Sequence, residues 1–302
     1  MCKLTFEILM GEEALKNFEY FDPTSVGEAV ALLQQHAGSA KVLAGGTDLF
    51  LRMHRRALLP DVVVDLKRIT ELADLRYSDQ EGLRLGATVT HGEVVEHAAV
   101  QQHYGALATA ANWVGSLQTR HRGTVVGNLC NASPAADTAP ALLSYGAIVT
   151  IVGPEGQREL PLEAFFQEPG RTALAPAEIV TALRLPPAPG QRGWGYARRT
   201  RTVIDIALVS SCTVIQANNG VCGEVRISLG AVGPTPLRAT QAEAVLRGQR
   251  PSAALLAEAS RVAAEEARPI SDVRCSAEYR KDMVEVLTKR CTESALRMLQ
   301  ML

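Results

Sequence analysis

Apolar positions along the chain recur with helical spacing in some stretches and with strand spacing in others, and the two alternate through its first half. Ser25 and Glu28 form a Ser-x-x-Glu box ahead of Ala29, Val30, Leu32 and Leu33, one face of a helix that Gly38 can end in the left-handed conformation. Lys41 to Leu43 is a short strand. A helix runs from Leu49 to roughly Leu58, and Pro60 closes it. The β-branched run Asp61 to Leu66, DVVVDL, predicts a buried strand, and Leu83 to Ala87 predicts another. Thr90 and Glu93 make a second capping box, before a helix from Val94 through Val100. Ala106 to Val114 and Ala141 to Ile151 have the composition of core, and Ala147 to Val152 continues as a strand into a Gly153-Pro154-Glu155-Gly156 turn. Glu178 to Pro186, EIVTALRLP, alternates like a half-buried strand, and Pro186 to Gly190 reads as a linker. Beyond it, Tyr196 to Gln216 contains a long strand, Asn218-Asn219-Gly220 a hairpin turn, and Val221 to Leu229 the antiparallel return. Helices follow at Gln241 to Arg247, Ala253 to Ala267 and Ala277 to about Leu299, so the last third is a separate α+β domain.

A chain of 302 residues suits two or three domains. With 21% charged residues and a net charge of −1, no basic excess supports a nucleic-acid surface. No apolar stretch of about twenty residues is available to span a bilayer, and the opening MCKLTFEILMGEEALK lacks the features of a signal peptide, so the expected location is the cytoplasm. The six cysteines, Cys2, Cys130, Cys212, Cys222, Cys275 and Cys291, include no C-x-x-C pair, which predicts no metal site and reduced thiols, Cys212 and Cys222 at the hairpin included. His91, His97 and His103, six residues apart, share no helical face and read as surface or satisfied residues.

Two stretches carry candidate chemistry. Ala44-Gly45-Gly46-Thr47-Asp48 leaves the Lys41 strand with adjacent glycines, which permit positive φ and bring a ligand close to the backbone, while Thr47 and Asp48 can cap the next helix. Unpaired N–H groups aimed at one spot suit an anion; an ordinary strand-to-helix turn would use the same residues. The second stretch, Arg122 to Pro140 (RGTVVGNLCNASPAADTAP), reads as a ligand-holding loop: Thr124, Gly127, Asn128, Asn131, Ser133 and Asp137 offer backbone approach, hydrogen-bond donors, and a carboxylate for ribose hydroxyls, with Pro134 and Pro140 as stiffeners. Neither G-x-x-x-x-G-K-[ST] nor G-x-G-x-x-G occurs, so a P-loop and a Rossmann fingerprint are both excluded on pattern.

AGGTDL at Ala44 to Leu49 and TVVGNLCNASPAAD at Thr124 to Asp137 resemble the flavin-binding signatures of the FAD-binding medium subunit of molybdenum hydroxylases, the family of xanthine dehydrogenase, aldehyde oxidoreductase and carbon monoxide dehydrogenase flavoproteins. The resemblance continues through EIVTALRLP, Tyr196-x-Arg198-x-x-Arg201-x-x-x-Asp205-x-Ala207 and SAEYRKDM at Ser276 to Met283. It implies an α+β fold in which two α/β subdomains, 15–75 and 76–188, form a PCMH-type, vanillyl-alcohol-oxidase-like FAD-binding domain, with a C-terminal α+β domain of antiparallel sheet and helices over 189–302. It implies FAD held by Val42, Leu43, Ala44, Gly45, Gly46, Thr47, Asp48 and Leu49 at the first bend, by Thr124, Gly127, Asn128, Asn131, Ser133 and Asp137 at the second, and by Val180 and Arg198 beyond them. Trp194 or Tyr196 could stack on the flavin ring; ordinary packing is the alternative for each.

The chain departs from the family pattern in several places. Val126-Gly127-Asn128 stands where Gly-Gly-Asn is usual, so the valine side chain must point away from the cofactor or the loop must sit differently. Arg198 stands where lysine is frequent, with a different donor geometry. Thr47 occupies the region where covalent flavoproteins carry histidine, which implies non-covalent FAD, and no cysteine-rich insertion follows the second stretch to hold a further iron-sulfur cluster. The implied role is electron transfer: electrons from a molybdopterin-bearing large subunit pass through [2Fe-2S] clusters of a small subunit to this FAD and on to NAD, a quinone or oxygen, in a dimer of heterotrimers. The alternatives are a stand-alone FAD oxidase or dehydrogenase with its own organic substrate and a scaffold subunit that has lost its flavin.

Overall fold

Val62, Val63, Val64 and Asp65 are all buried and form the middle strand of the first sheet in the computed structural model, which describes residues 15–187 and 190–302. The elements of this part are β1 (Glu19–Phe21), α1 (Val26–Gln35), β2 (Ala40–Leu43), α2 (Leu49–His54) and β3 (Val62–Asp65). Strand β3 pairs in parallel with β1 on one side and β2 on the other, as a β-branched run flanked by helical connections requires. The α1 cap is offset from the expected box: Ser25 Oγ accepts from the Glu28 N–H, but the Glu28 carboxylate accepts from the Thr24 N–H instead of from Ser25. Gly38 takes φ +86°, as expected. Helix α2 stops at His54, short of Leu58, because Arg56 enters the left-handed region at φ +55°.

The second part contains β4 (Leu75–Ser78), β5 (Gly82–Gly86), α3 (His91–Glu96), α4 (Ala98–His103), α5 (Gly105–Asn112), α6 (Leu117–Arg120), α7 (Val125–Cys130), α8 (Thr138–Ser144), β6 (Ile148–Gly153), β7 (Gly156–Pro161), the small pair β8 (Phe166–Glu168) and β9 (Arg171–Thr172), and β10 (Ile179–Leu185). Its five-stranded antiparallel sheet has the order β4-β5-β10-β6-β7, so β10 is central and buried apart from Arg184, where alternation had predicted a half-buried strand. The Thr90–Glu93 capping box is complete in both directions. The helix expected from Val94 through Val100 is two helices, broken where His97 turns extended. The Arg122 to Pro140 stretch is a loop interrupted by helix: Thr124 caps α7, turns follow, and α8 begins at Thr138.

The third part has β11 (Arg192–Arg199), β12 (Val209–Asn218), β13 (Val221–Gly230) and β14 (Leu237–Arg238) in one antiparallel sheet, then α9 (Thr240–Leu246), α10 (Ala253–Glu266) and α11 (Ala277–Met298). Asn219 and Gly220 both take positive φ, the geometry of a two-residue hairpin turn. Helix α11 lies directly on β11: a Cβ on Gly195 would sit 2.2 Å from the Cys291 carbonyl oxygen. Hydroxyl pairs Ser211–Thr288 and Thr213–Thr292 satisfy the buried polar groups between α11 and β12. Ser144 at the end of α8 donates to the Cys212 carbonyl at 3.1 Å and pairs with Ser228 Oγ at 2.9 Å, so the second and third parts share a buried polar seam. Cys212 and Cys222 are free and buried, and Cys130, Cys275 and Cys291 are free as well; Cys2, most of the amino-terminal stretch, and Ala188 and Pro189 of the linker lie outside the described residues. Among the described residues no helix is long and apolar enough to cross a membrane.

Candidate functional site

Gly45 lies against the backbone of the second glycine-bearing stretch. A Cβ there would be 2.3 Å from the Arg122 carbonyl oxygen and 2.7 Å from Gly123 Cα, so only glycine permits the approach. The approach is held from the other side. The His91 N–H donates to the Gly123 carbonyl at 3.0 Å, and the Val125 N–H donates to the Val89 carbonyl at 3.1 Å. Thr124 Oγ1 accepts from the Gly127 N–H at 3.0 Å, and Thr138 Oγ1 donates to Asn128 Oδ1 at 3.2 Å, which fixes the Asn128 amide.

The two stretches enclose a cavity of about 460 Å³. Val42, Ala44, Gly45, Gly46, Thr47, Asp48, Leu49, Thr124, Gly127, Asn128, Asn131 and Val180 all line it. Neither Thr47 nor Asp48 caps α2 with its side chain, contrary to expectation. Phe50 and Arg52 donate to the Gly46 and Asp48 carbonyls, while the N–H groups of Gly45, Gly46, Thr47 and Asp48 have no acceptor among the described residues. Burial raises the pKa of the Asp48 carboxyl, partly offset by Arg52. These N–H donors form a cradle for an anion, and Val126, Val180 and Ile179 give the cavity an apolar wall for a planar ring. The donor set fits a dinucleotide with a diphosphate at its centre.

Four of the expected residues stand elsewhere. Leu43 packs with Met53 and Val63 in a small core behind the bend. Ser133 accepts from the Ala135 N–H through its hydroxyl. Asp137 and Arg198 face each other at 2.6 Å, and Arg198 also donates to the Asp205 carbonyl and the Trp113 carbonyl while lying 5.2 Å from the centre of the Trp113 ring. Neither expected stacking aromatic borders the cavity: the Tyr196 hydroxyl donates to the Asp137 carbonyl, and the Trp194 ring covers Gly105. Val126, the departure from the usual glycine pair, is 4% exposed and belongs to the main core while touching the cavity edge.

Several cavity residues escape sequence reasoning, among them Arg52, Thr119 and His91. His91, expected at the surface or satisfied, is 1% exposed with Nδ1 lacking a hydrogen-bond partner, and burial, with help from Arg120, pushes its pKa down to about 4. The only sequence signal was its position just after the Thr90 cap. Among the described residues, no cluster of His, Cys, Asp or Glu could hold a metal ion.

Residues 16–188 match the family model described as the FAD binding domain in molybdopterin dehydrogenase, and residues 194–295 match the CO dehydrogenase flavoprotein C-terminal domain. The xanthine dehydrogenase FAD-binding subunit of Escherichia coli O157:H7 is 30% identical, over 92% of this chain and 95% of that protein. The carbon monoxide dehydrogenase medium chain of Hydrogenophaga pseudoflava is 33% identical, over 92% of this chain and 96% of that one. The solved carbon monoxide dehydrogenase from Hydrogenophaga pseudoflava that lacks the Mo-pyranopterin moiety superposes with a TM-score of 0.91 at 32% identity, covering 94% of this chain and 99% of that one. Quinoline 2-oxidoreductase from Pseudomonas putida 86 gives 0.88 at 27% identity, covering 94% and 98%. With both halves matched and the two glycine-bearing stretches closed around one cavity, the chain belongs to the FAD-binding medium subunits of molybdenum hydroxylases and is the flavoprotein component of an oxidoreductase.

Proposed function

We propose that this chain is the electron-transfer subunit of a cytoplasmic multisubunit molybdenum hydroxylase. It would carry non-covalent FAD between the [2Fe-2S] clusters of a small subunit and an external acceptor, NAD, a quinone or oxygen, beside a molybdopterin-bearing large subunit in a dimer of heterotrimers. The observation that carries this reading is the contact of Gly45 with Arg122 and Gly123, which brings both flavin-binding stretches onto one cavity. Relatives described as a FAD-binding subunit of xanthine dehydrogenase and a medium chain of carbon monoxide dehydrogenase support the assignment to a multisubunit enzyme.

Bound FAD supplies redox chemistry that passes one or two electrons, which side chains alone do not provide. The protein's own part is to bind and orient it. The Gly45 to Asp48 N–H groups would hold the diphosphate, and Thr124, Gly127, Asn128 and Asn131 the remaining polar groups, with Val180 against the ring. Leu43, Ser133, Asp137 and Arg198 would support these groups from behind. The subdomains responsible are 15–75 and 76–188, with 189–302 packed against the second through Ser144.

Co-expression with candidate small and large subunits tests the assignment. The expected result is a yellow chain whose flavin absorbance bleaches on adding an organic substrate only when both partners are present. Bleaching of the isolated chain by such a substrate would instead establish a stand-alone dehydrogenase.

A further inference from the structure

We infer that His91 is a cofactor-binding residue, donating a hydrogen bond from Nε2 to a diphosphate oxygen of the bound dinucleotide. The inference rests on FAD occupying the cavity between the two glycine-bearing stretches.

His91 is fixed where those stretches meet. The complete Thr90–Glu93 capping box holds the first turn of α3, and the His91 N–H is used by the Gly123 carbonyl at 3.0 Å. A Cβ on Gly123 would lie 3.3 Å from Thr47 Oγ1 and 3.6 Å from His91 Cδ2, so the Thr47 hydroxyl and the imidazole edge flank the same glycine. The ring borders the cavity although the residue is 1% exposed.

The position of the ring proton follows from its surroundings. Nδ1 is buried with no hydrogen-bond partner in either tautomer, so what meets Nε2 decides the proton: against an acceptor-rich ligand in the cavity, the Nε2–H form gains a hydrogen bond that the Nδ1–H form cannot make. Burial beside Arg120 keeps the imidazole neutral at pH 7, so it offers one N–H rather than a charge. The neighbouring backbone groups at Gly45 to Asp48 are also unpaired donors, and a wall of donors calls for an acceptor-rich ligand. The diphosphate is the most acceptor-rich part of FAD.

The test uses the full-length chain, freed of flavin, and measures binding of FAD, ADP and riboflavin to wild type, His91→Phe and His91→Gln. Loss of a hydrogen bond to a charged oxygen is expected to weaken FAD and ADP by about 10- to 100-fold in His91→Phe, to leave riboflavin unchanged, and to be largely restored in His91→Gln. Equal affinities for FAD and ADP in wild type and His91→Phe would overturn the inference. A wild-type chain that binds neither would overturn the cofactor reading beneath it. Nitrogen NMR of the wild-type imidazole gives a second readout that needs no variant to fold: the Nε2–H tautomer, shifting on addition of ADP but not riboflavin, is expected, and an Nδ1–H tautomer or an unmoved resonance would refute the assignment.

Discussion

The Asp137 carboxylate and the Arg198 guanidinium lie 2.6 Å apart with the Arg198 side chain 2% exposed, which ties the start of α8 to the end of β11. Arg198 also reaches the Asp205 carbonyl and the Trp113 carbonyl, so one side chain joins two further points of the chain. The pair is close but poorly aligned: Asp137 Oδ1 and Arg198 Nε have no well-directed hydrogen bond, and burial outweighs the arginine in pushing the Asp137 pKa up to about 6. Removing one partner leaves an uncompensated buried charge. Arg198→Met should therefore cost about 3 to 5 kcal/mol, whereas Arg198→Met combined with Asp137→Leu should lie within about 1 kcal/mol of wild type. Urea titration of the four members of this cycle decides it. A double variant as unstable as the single one would mean that the links to Trp113 and Asp205, and not the ion pair, hold the region together.

Gly45→Ala is expected to abolish flavin retention. The new Cβ would run into the Arg122–Gly123 peptide, with the Arg122 carbonyl oxygen at 2.3 Å and Gly123 Cα at 2.7 Å, and backbone cannot swing aside as a side-chain tip can. Gly27→Ala is the matched control, since it sits in α1 with nothing within 4 Å of the new methyl and should stabilise the protein by about 0.5 to 1 kcal/mol through helix propensity. Flavin absorbance per chain after gel filtration separates the two. Wild-type flavin content in Gly45→Ala would show that the two stretches can part without losing the cofactor.

Much of this architecture was legible because the deciding interactions are local. Thr90 and Glu93 close a capping box and Asn219-Gly220 turns a hairpin, each through contacts within a few residues, and the β-branched composition of DVVVDL declares a buried strand before its distant partners β1 and β2 are known. What was not legible depends on contacts distant in sequence. His91 is buried because its N–H meets Gly123, and Asp137 and Arg198 turn to one another instead of lining the cavity. Small polar residues favour turns locally, so the sequence of Val125–Cys130 points to loop, while in the fold Thr124 caps it as a helix and Val125 bonds back to Val89. The early end of α2 depends on a left-handed arginine, Arg56, at a position where glycine would have announced it.

The buried imidazole of His91 should make the stability of the flavin-free protein depend on pH. Its pKa is about 4 in the folded state against an ordinary value of 6.5, so the unfolded chain binds a proton that the folded one refuses. Stability contributed by neutral His91 is fully present above pH 6.5 and is lost as pH falls toward 4. By pH 4.5 the loss attributable to this residue should be about 2 to 3 kcal/mol, obtained by comparing wild type with His91→Asn at pH 7.5 and 4.5. Parallel declines in both proteins would place the titration elsewhere.

Arg280 ties elements together within the third part, as Arg198 ties the second part to the third. It is 4% exposed, donates to the Leu208 carbonyl at 2.6 Å and the Ala231 carbonyl at 3.0 Å, and pairs with Asp272 at 3.0 Å. Those carbonyls lie where β12 begins and just past the end of β13, so the first turns of α11 are locked to both strands at once. Ala231 in turn donates its N–H to the Pro134 carbonyl at 2.7 Å, which carries the connection into the second glycine-bearing stretch. Arg280→Met would leave one buried and one half-buried carbonyl without their charged donor, and a loss of about 3 kcal/mol is expected from those contacts and the Asp272 pair. Arg280→Lys should recover only part of it, because one ammonium cannot reproduce a fork that reaches two carbonyls and a carboxylate together. The folded fraction of Arg280→Met should still retain FAD, since Arg280 does not line the cavity. Denaturation midpoints with flavin content on the same samples check both halves, and flavin loss in a variant of unchanged stability would mean that the Ala231 to Pro134 connection positions the cofactor.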